Sequence, residues 1–281
     1  MDYSRYIQIE TLQFGKDWGV KEFTDGQNLF WIESDKVNGL LDIQASITNP
    51  SVLDIVLQMG GVIPDISTLF IKYQYGGRSD KMKEGSRSVA NVSELALDNI
   101  LFGFAEYTNK YVFVPHSPYS IEGQFTNVKI EDVINLDLVA NFTSIVYPDE
   151  GATRRFEHFS RRIQQKYPGY PILSAKKVRN QVTGEIIGHS LDNPGEAGAN
   201  PLIVDDICDG GRTFIKLRQL LPSSSTPALL VAHGIFSYNA LQSLKDAGFV
   251  KVFSSRSFPR EPDDLGGFLE YYPVSYHGIT F

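Results

Sequence analysis

The stretch PLIVDDICDGGRTFIKL, residues 201–217, decides the fold class of this chain. Its first four residues form a short apolar run that is typical of a buried strand. Acidic residues and two glycines follow, and after them comes an apolar stripe at helical spacing, formed by Phe214, Ile215, Leu217, Leu220 and Leu221. A strand, a polar turn and a helix in this order are the repeating unit of a parallel α/β fold.

Other short apolar runs have the same character and are separated by longer amphipathic segments: 69–73, 111–114, 144–147, 228–232 and 251–253. Such runs predict buried parallel strands, and ligands of parallel sheets bind just beyond the carboxyl ends of the strands. Most of the runs lead into reactive side chains, namely Arg78, His116, Asp149, Asp205, Asp206 and His233. We therefore expect an α/β fold with a ligand site at this edge.

The length of the chain, 281 residues, suits two medium-sized domains. A second series of strands and helices begins near residue 140, so we predict one domain at 1–143 and another at 144–281. From Pro259 onward the sequence carries few helical signals.

The composition excludes several classes of protein. A net charge of −7 argues against nonspecific binding to nucleic acids or anionic membranes. No apolar run approaches the roughly 20 residues that span a bilayer, and the first residues do not resemble a secretory signal. Cys208 is the single cysteine, so no internal disulfide can form. We expect a cytoplasmic protein that binds neither nucleic acid nor membrane.

Each part of the loop in 201–217 suits a ribose that carries a 5-phosphate. Asp205 and Asp206 can accept hydrogen bonds from vicinal hydroxyls or hold a magnesium ion through water. Gly210 and Gly211 permit backbone conformations that point several N–H groups at a phosphate, and Thr213 can add its hydroxyl. The alternative is an acidic loop that only caps a helix.

The segment VDDICDGGRT, 204–213, resembles the phosphoribosyl pyrophosphate loop shared by phosphoribosyltransferases and ribose-phosphate pyrophosphokinases. Further segments resemble pyrophosphokinase motifs and occur in the same order: FTDGQ (23–27), YGGRSDK (75–81), VPHS (114–117), YPDEGATRR (147–155), KVR (177–179) and AHGIFS (232–237). The pyrophosphokinases carry two such domains and the transferases usually one, so the chain length also favours the pyrophosphokinases.

This resemblance implies two tandem phosphoribosyltransferase-like domains, each a mainly parallel sheet flanked by helices. It implies Mg²⁺-dependent transfer of the diphosphoryl group of ATP to the anomeric hydroxyl of ribose 5-phosphate, which gives phosphoribosyl pyrophosphate and AMP. It also implies a homo-oligomer, a dimer or a hexamer, in which ATP contacts residues of a neighbouring subunit.

The matching motifs imply roles for individual residues. Catalysis falls to Lys177 and Arg179, in a mobile basic loop, and magnesium binding falls to His116 and Asp149. The residues expected to bind ATP are Phe23, Asp25, Gln27, Arg78 and Ser79. Those expected to bind ribose and its phosphate are Asp205, Asp206, Asp209, Gly210, Gly211, Arg212 and Thr213.

The chain departs from the family pattern at points that bear on function. Val114 replaces an acidic residue two positions before His116, and the stretch after the last strand is shorter than the helical tail of the family. Arg212 brings a long cation to the 5-phosphate, where a phosphomonoester does not need it.

A longer 5-substituent with a second phosphate could use Arg212, and relatives in phage and bacterial NAD salvage transfer the diphosphoryl group to ADP-ribose. ADP-ribose is therefore an alternative acceptor. An inactive regulatory homologue and a phosphoribosyltransferase are further alternatives.

Overall fold

The computed structural model describes residues 1–24, 26–37, 39–74, 99–100, 102–114, 125–179, 186–260 and 265–280. Contacts within the chain divide it into two units, Met1–Lys129 with Ser257–Pro259 and Ile130–Arg256 with Arg260–Phe281. Two units agree with the expected two domains, whereas the exact boundary between residues 143 and 144 stays a prediction.

The strands of the first unit are β1 (Ile7–Ile9), β2 (Trp18–Glu22), β3 (Asn28–Ile32), β4 (Leu41–Ser46), β5 (Ile66–Tyr73), β6 (Asn109–Phe113) and β7 (Thr126–Val128). Five of them form a sheet in the order β1-β4-β5-β6-β7, in which β1 is antiparallel to β4 and the other pairs are parallel. Strands β2 and β3 form a separate antiparallel hairpin.

Helix α1 (Pro50–Val62) follows β4 and supports this sheet. It begins where the Asn49 side chain accepts a hydrogen bond from the N–H of Val52, and a proline occupies its first turn. Its buried face shares one apolar core with β4 and β5, formed in part by Ile43, Ala45, Ile55, Met59, Leu69 and Ile71.

The second unit contains the strands β8 (Ile145–Tyr147), β9 (Ile172–Arg179), β10 (Ile186–Leu191), β11 (Leu202–Cys208), β12 (Ala228–Gly234), β13 (Lys251–Ser255), β14 (Leu269–Tyr271), β15 (Ser275–Tyr276) and β16 (Ile279–Thr280). Its helices are α2 (Ile130–Val133), α3 (Glu150–Arg155), α4 (Glu157–Lys166), α5 (Arg212–Arg218) and α6 (Ala240–Asp246). A seven-stranded sheet has the order β10-β9-β8-β11-β12-β13-β14, and it is parallel except for the pair β9 and β10.

These elements confirm the α/β fold class, with parallel sheets flanked by helices. The six apolar runs of the sequence lie in β5, β6, β8, β11, β12 and β13, and the stripe that follows Gly211 forms α5. None of the described helices is long and apolar enough to cross a membrane.

The structure differs from expectation at two strand ends. Strand β11 was expected to end before Asp205, but it continues to Cys208, because the backbone stays paired with β12 through Asp205 opposite Val231 and Ile207 opposite His233. The backbone of Lys177 and Arg179 lies in β9, paired with β10, where the resemblance implied a loop.

Candidate active site

The two acidic residues of β11 stand at the carboxyl end of the sheet and differ in exposure. Asp206 is buried, with 3% of its side chain exposed, whereas 16% of the Asp205 side chain is exposed. Burial, together with the negative charge of Asp206, raises the pKa of the Asp205 carboxyl well above its ordinary value. The two acids at the end of β11 therefore share a buried site in which the charge of one disfavours the charge of the other.

The turn after β11 has the backbone form that the predicted phosphate loop requires. Gly211 has a φ of +75°, in the left-handed region, and it immediately precedes helix α5. A Cβ at Gly211 would lie 3.4 Å from Leu244 Cγ and 3.7 Å from Ala240 Cβ, so α6 packs directly beneath the turn. The N–H groups of Phe214 and Ile215 donate to the Gly211 carbonyl, both at 3.1 Å, so an anion at this end of α5 would be met by the N–H groups that precede them.

One arginine contacts both acids of β11. The Nη1 atom of Arg155, the last residue of α3, lies 3.4 Å from Asp205 Oδ1 and 3.1 Å from Asp206 Oδ1. The backbone N–H of Asp206 also donates to Asp205 Oδ1, at 2.9 Å. The positive charge of Arg155 partly opposes the rise in the pKa of Asp205. No role was expected for Arg155 from the sequence.

The opposite end of α3 is fixed by Asp149, a predicted magnesium ligand. Its Oδ1 accepts a hydrogen bond from the N–H of Ala152, 2.9 Å away, so Asp149 is the N-cap of the helix. A Cβ at Gly151 would lie 2.9 Å from the same oxygen, so only glycine leaves room for this cap. The spacing Asp-x-Gly in the sequence thus has a structural reason.

The loop after β12 packs against the loop after β11. The backbone N–H groups of Ile235 and Phe236 both donate to the Cys208 carbonyl, at 2.8 and 3.1 Å. A Cβ at Gly234 would lie 2.1 Å from the Phe236 ring, which explains the glycine of the motif AHGIFS. Tyr238, in the same loop, is 90% exposed.

A cavity of about 150 Å³ opens beside this second loop. Its walls include Phe236, Asn239, Ala240 and Arg260. Tyr238 lies in the chain between the lining residues Phe236 and Asn239, and its Cδ2 atom is 3.8 Å from the position that a Cβ of Gly210 would occupy. The exposed ring of Tyr238 is therefore close to the turn that contains Gly210, and the cavity lies beside the same loop as Tyr238.

Asp149, a predicted magnesium ligand, follows β8, and the two acids near the end of β11 are further carboxylates. Asp149, Asp205 and Asp206 supply carboxylate oxygens, which are the ligands that Mg²⁺ prefers. Among the residues that the structure describes, no cluster of three or more His, Cys, Asp or Glu side chains forms a ready-made metal site. His116, the other predicted ligand, lies outside the described residues, so its metal role stays a prediction.

Val114, which replaces the acidic residue of the family pattern, is buried at the end of β6. Its φ is +37°, an unusual value for a β-branched residue, and its N–H donates to the Val128 carbonyl at 2.9 Å. The side chain is only 5% exposed and apolar. Val114 therefore contributes packing to the first unit and no metal ligand.

The predicted ATP residues are only partly described. Phe23 is exposed, its N–H donates to the Gln27 carbonyl at 2.8 Å, and the Lys21 Nζ lies 5.0 Å from its ring centre. Asp25, Arg78 and Ser79 lie outside the described residues.

The predicted catalytic residues Lys177 and Arg179 lie in strand β9, where their backbone pairs with His189 and Ile186 of β10. Three residues before Lys177, the Ser174 hydroxyl of β9 is hydrogen-bonded to the Thr153 hydroxyl of α3, at 2.7 Å. Side-chain contacts of Thr153 and Arg155 thus connect α3 to β9 and to β11. The catalytic roles of Lys177 and Arg179 stay predictions.

No protein-family profile matches the chain. A ribose-phosphate pyrophosphokinase of Aeropyrum pernix is 30% identical over 131 residues, which cover 46% of this chain and 40% of that protein. A ribose-phosphate pyrophosphokinase of Sulfurisphaera tokodaii is 23% identical over 261 residues, covering 87% of this chain and 86% of that protein. In the first of these matches, the chain thus spans less than half of its relative.

A solved structure has the same fold. The phosphoribosylpyrophosphate synthetase from Mycobacterium smegmatis superimposes with a TM-score of 0.66, covering 90% of this chain and 85% of that chain, at 17% sequence identity.

Proposed function

Because the chain is related to the ribose-phosphate pyrophosphokinases in sequence and in fold, we propose that it is an enzyme of the same kind, a diphosphotransferase. In this proposal it transfers the diphosphoryl group of ATP to the anomeric hydroxyl of ribose 5-phosphate. The products are AMP and phosphoribosyl pyrophosphate, an activated sugar used in nucleotide biosynthesis.

The observation that carries the proposal is the segment from Asp205 to Thr213, which comprises the last residues of β11, the turn after it and the start of α5. Its paired acids suit the vicinal hydroxyls of ribose, and its left-handed Gly211, followed by the first turn of α5, suits the 5-phosphate. Asp209, Gly210, Arg212 and Thr213 complete the loop.

The reaction is a displacement at the β-phosphorus of ATP. The anomeric oxygen bonds to that phosphorus, the bond to the α,β-bridging oxygen breaks, AMP leaves, and the hydroxyl proton passes to solvent. Such reactions need positioning and charge stabilisation. Lys177 and Arg179 would stabilise the charge that develops on the transferred group. Magnesium, held by Asp149 and His116, would neutralise phosphate charge.

The remaining features of the proposal rest on the resemblance. Arg78 and Ser79 would bind ATP, and Phe23, Asp25 and Gln27 would contact it from a neighbouring subunit. The chain would then work as a homo-oligomer, a dimer or a hexamer, in the cytoplasm, where ATP is plentiful.

A second acceptor, ADP-ribose, is favoured by the surroundings of the phosphate loop. Arg212 is exposed, and within the described ranges no ion pair involves it. The exposed Tyr238 lies 3.8 Å from the position of a Cβ at Gly210, and Ala240, which lines the cavity beside Arg260, lies 3.7 Å from that of a Cβ at Gly211. A second phosphate could pair with Arg212, and a planar base could stack on Tyr238.

The test is release of AMP from ATP and Mg²⁺ with ribose 5-phosphate or ADP-ribose offered separately, and identification of each product by mass. We expect Lys177→Ala to lower kcat by about 100-fold or more, the scale found when a transition-state donor is removed. Lys176→Ala is the matched control, because this neighbouring lysine is exposed and pairs with Asp192.

Each outcome separates the alternatives. No AMP release with either acceptor would overturn the enzyme proposal and favour a regulatory homologue. Product that forms only when a nucleobase is added would favour a phosphoribosyltransferase. Turnover of ribose 5-phosphate without any turnover of ADP-ribose would eliminate the second acceptor.

A further inference from the structure

We propose that Arg155 is a positioning residue that holds the carboxylates of Asp205 and Asp206 together for binding of the ribose hydroxyls. It thereby sets the affinity for the sugar substrate while leaving the affinity for ATP unchanged. This inference rests on the proposed function, because it assigns the ribose to these two acids.

Arg155 contacts two successive residues of strand β11, which is unusual. Side chains of successive strand residues point to opposite faces, so Asp205 and Asp206 would ordinarily diverge. In this chain both Oδ1 atoms lie within 3.4 Å of one guanidinium nitrogen. The two carboxylates would repel each other, and the shared cation offsets this repulsion in a site where water screens little. Arg155 therefore determines how the acids are placed.

Contacts of helix α3 hold the backbone of Arg155 in place. The helix begins at the Asp149 cap, its third residue, Ala152, is buried, and buried Phe156 follows Arg155 directly. The Phe156 N–H donates to the Ala152 carbonyl at 2.9 Å, and Thr153 is hydrogen-bonded to β9. The backbone that carries the guanidinium is therefore anchored on both sides of the arginine.

Arg154, the residue before Arg155 on the same helix, provides a comparison. Arg154 is exposed, and no ion pair involves it in the part of the chain that the structure describes. Arg155, one residue further, has 19% of its side chain exposed and faces both acids. Arg154→Gln is therefore a control matched in helix, charge and substitution.

The test is steady-state kinetics of Arg155→Gln, Arg155→Lys and Arg154→Gln, with ribose 5-phosphate and ATP varied separately. Loss of a charge-assisted contact corresponds to about a 10- to 100-fold change in binding. We expect Arg155→Gln to raise KM for ribose 5-phosphate by about this factor, with KM for ATP and kcat within about threefold of the wild type. Arg155→Lys should recover part of the loss, because one cation can still reach both acids.

Calorimetric titration with ribose 5-phosphate in the absence of ATP gives a readout that does not depend on turnover. Its Kd should rise by the same factor in Arg155→Gln and stay unchanged in Arg154→Gln. If Arg155→Gln does not fold, Arg155→Lys decides, since a wild-type Kd in that variant would overturn the proposal.

Several results would count against the role of Arg155. A fall in kcat at unchanged KM, or an equal rise of KM in Arg154→Gln, would overturn it while leaving the proposed function intact. A wild-type chain that neither binds ribose 5-phosphate nor releases AMP would overturn the proposed function, and the role of Arg155 with it.

Discussion

The loops after the neighbouring strands β11 and β12 are built in opposite ways. The loop after β11 takes its left-handed turn at Gly211, with a φ of +75°, and this costs glycine little. The loop after β12 places Phe236, Tyr238 and Asn239 in the same region, at φ values of +50°, +52° and +62°. Such a backbone costs an ordinary residue about 1–2 kcal/mol. The second loop is therefore strained and the first is not.

The two loops have different roles: the loop after β12 supports the structure, and the loop after β11 is the one proposed to bind the ligand. The strained loop buries Phe236 and donates two N–H groups to the Cys208 carbonyl at the end of β11. The relaxed loop connects the acids of β11 to the start of α5 and contains Gly210 and Gly211. Packing and hydrogen bonds in the loop after β12 thus stabilise the geometry of the loop after β11.

The largest expected effect comes from removing the space that the strained loop needs. Gly234→Ala places a Cβ 2.1 Å from the Phe236 ring and 2.7 Å from Ser254 Oγ. We expect this variant to lose about 2–3 kcal/mol of unfolding free energy, the usual cost of overpacking a core. Urea unfolding measures the loss.

Gly195→Ala is the control for this substitution, because a Cβ at Gly195 meets nothing within 4 Å. Equal stability of Gly234→Ala and Gly195→Ala would show that the loop after β12 adapts freely, and the contrast between the two loops would fail.

A smaller effect is expected from the charge at the end of β11. The pKa of Asp205 is raised in the folded chain, so its protonated form stabilises folding at low pH, and this contribution is lost as pH rises through the raised pKa. Asp205→Asn carries no such charge. We therefore expect the stability of Asp205→Asn relative to the wild type to increase as the pH rises above about 4, the ordinary pKa of an aspartate.

Unfolding in urea at several pH values measures this trend. The exposed Asp246, replaced by Asn, is the control and should show no comparable increase. A stability difference between Asp205→Asn and the wild type that does not change with pH would contradict the raised pKa of Asp205.

The smallest effect tests the strain itself. Tyr238→Gly removes a left-handed non-glycine residue that is 90% exposed, so little packing is lost. Because glycine is more flexible when unfolded, the net gain in stability should be about 0.5–1 kcal/mol. Asn239→Gly should gain less, since asparagine tolerates this region. Equal gains in thermal unfolding would show that the strain is not specific to Tyr238.

The sequence was sufficient to predict six of the strands (β5, β6, β8, β11, β12 and β13) and the loop after β11, because apolar runs, glycines and acids each have a local signature. It did not predict that β11 continues through Asp205 and Asp206, since pairing with β12 sets the end of that strand. Arg155 was missed for a related reason. Its role depends on α3 ending beside β11, a contact between segments that are about fifty positions apart.

The roles predicted for several site residues stay predictions. Lys177 and Arg179 are placed by backbone, and Asp25, Arg78, Ser79 and His116 lie outside the described residues. Their roles rest on motif resemblance, and the kinetic experiments above are the means of testing them.

The buried end of β11 also provides the protein with a built-in reporter. Cys208 is the sole thiol of the chain, is fully buried, and has a pKa raised by burial and by the nearby Asp205 and Asp209. An alkylating reagent can reach this sulfur only when the edge of β11 and the turn after it open. The rate of alkylation therefore measures how often the loop opens, without any label being introduced.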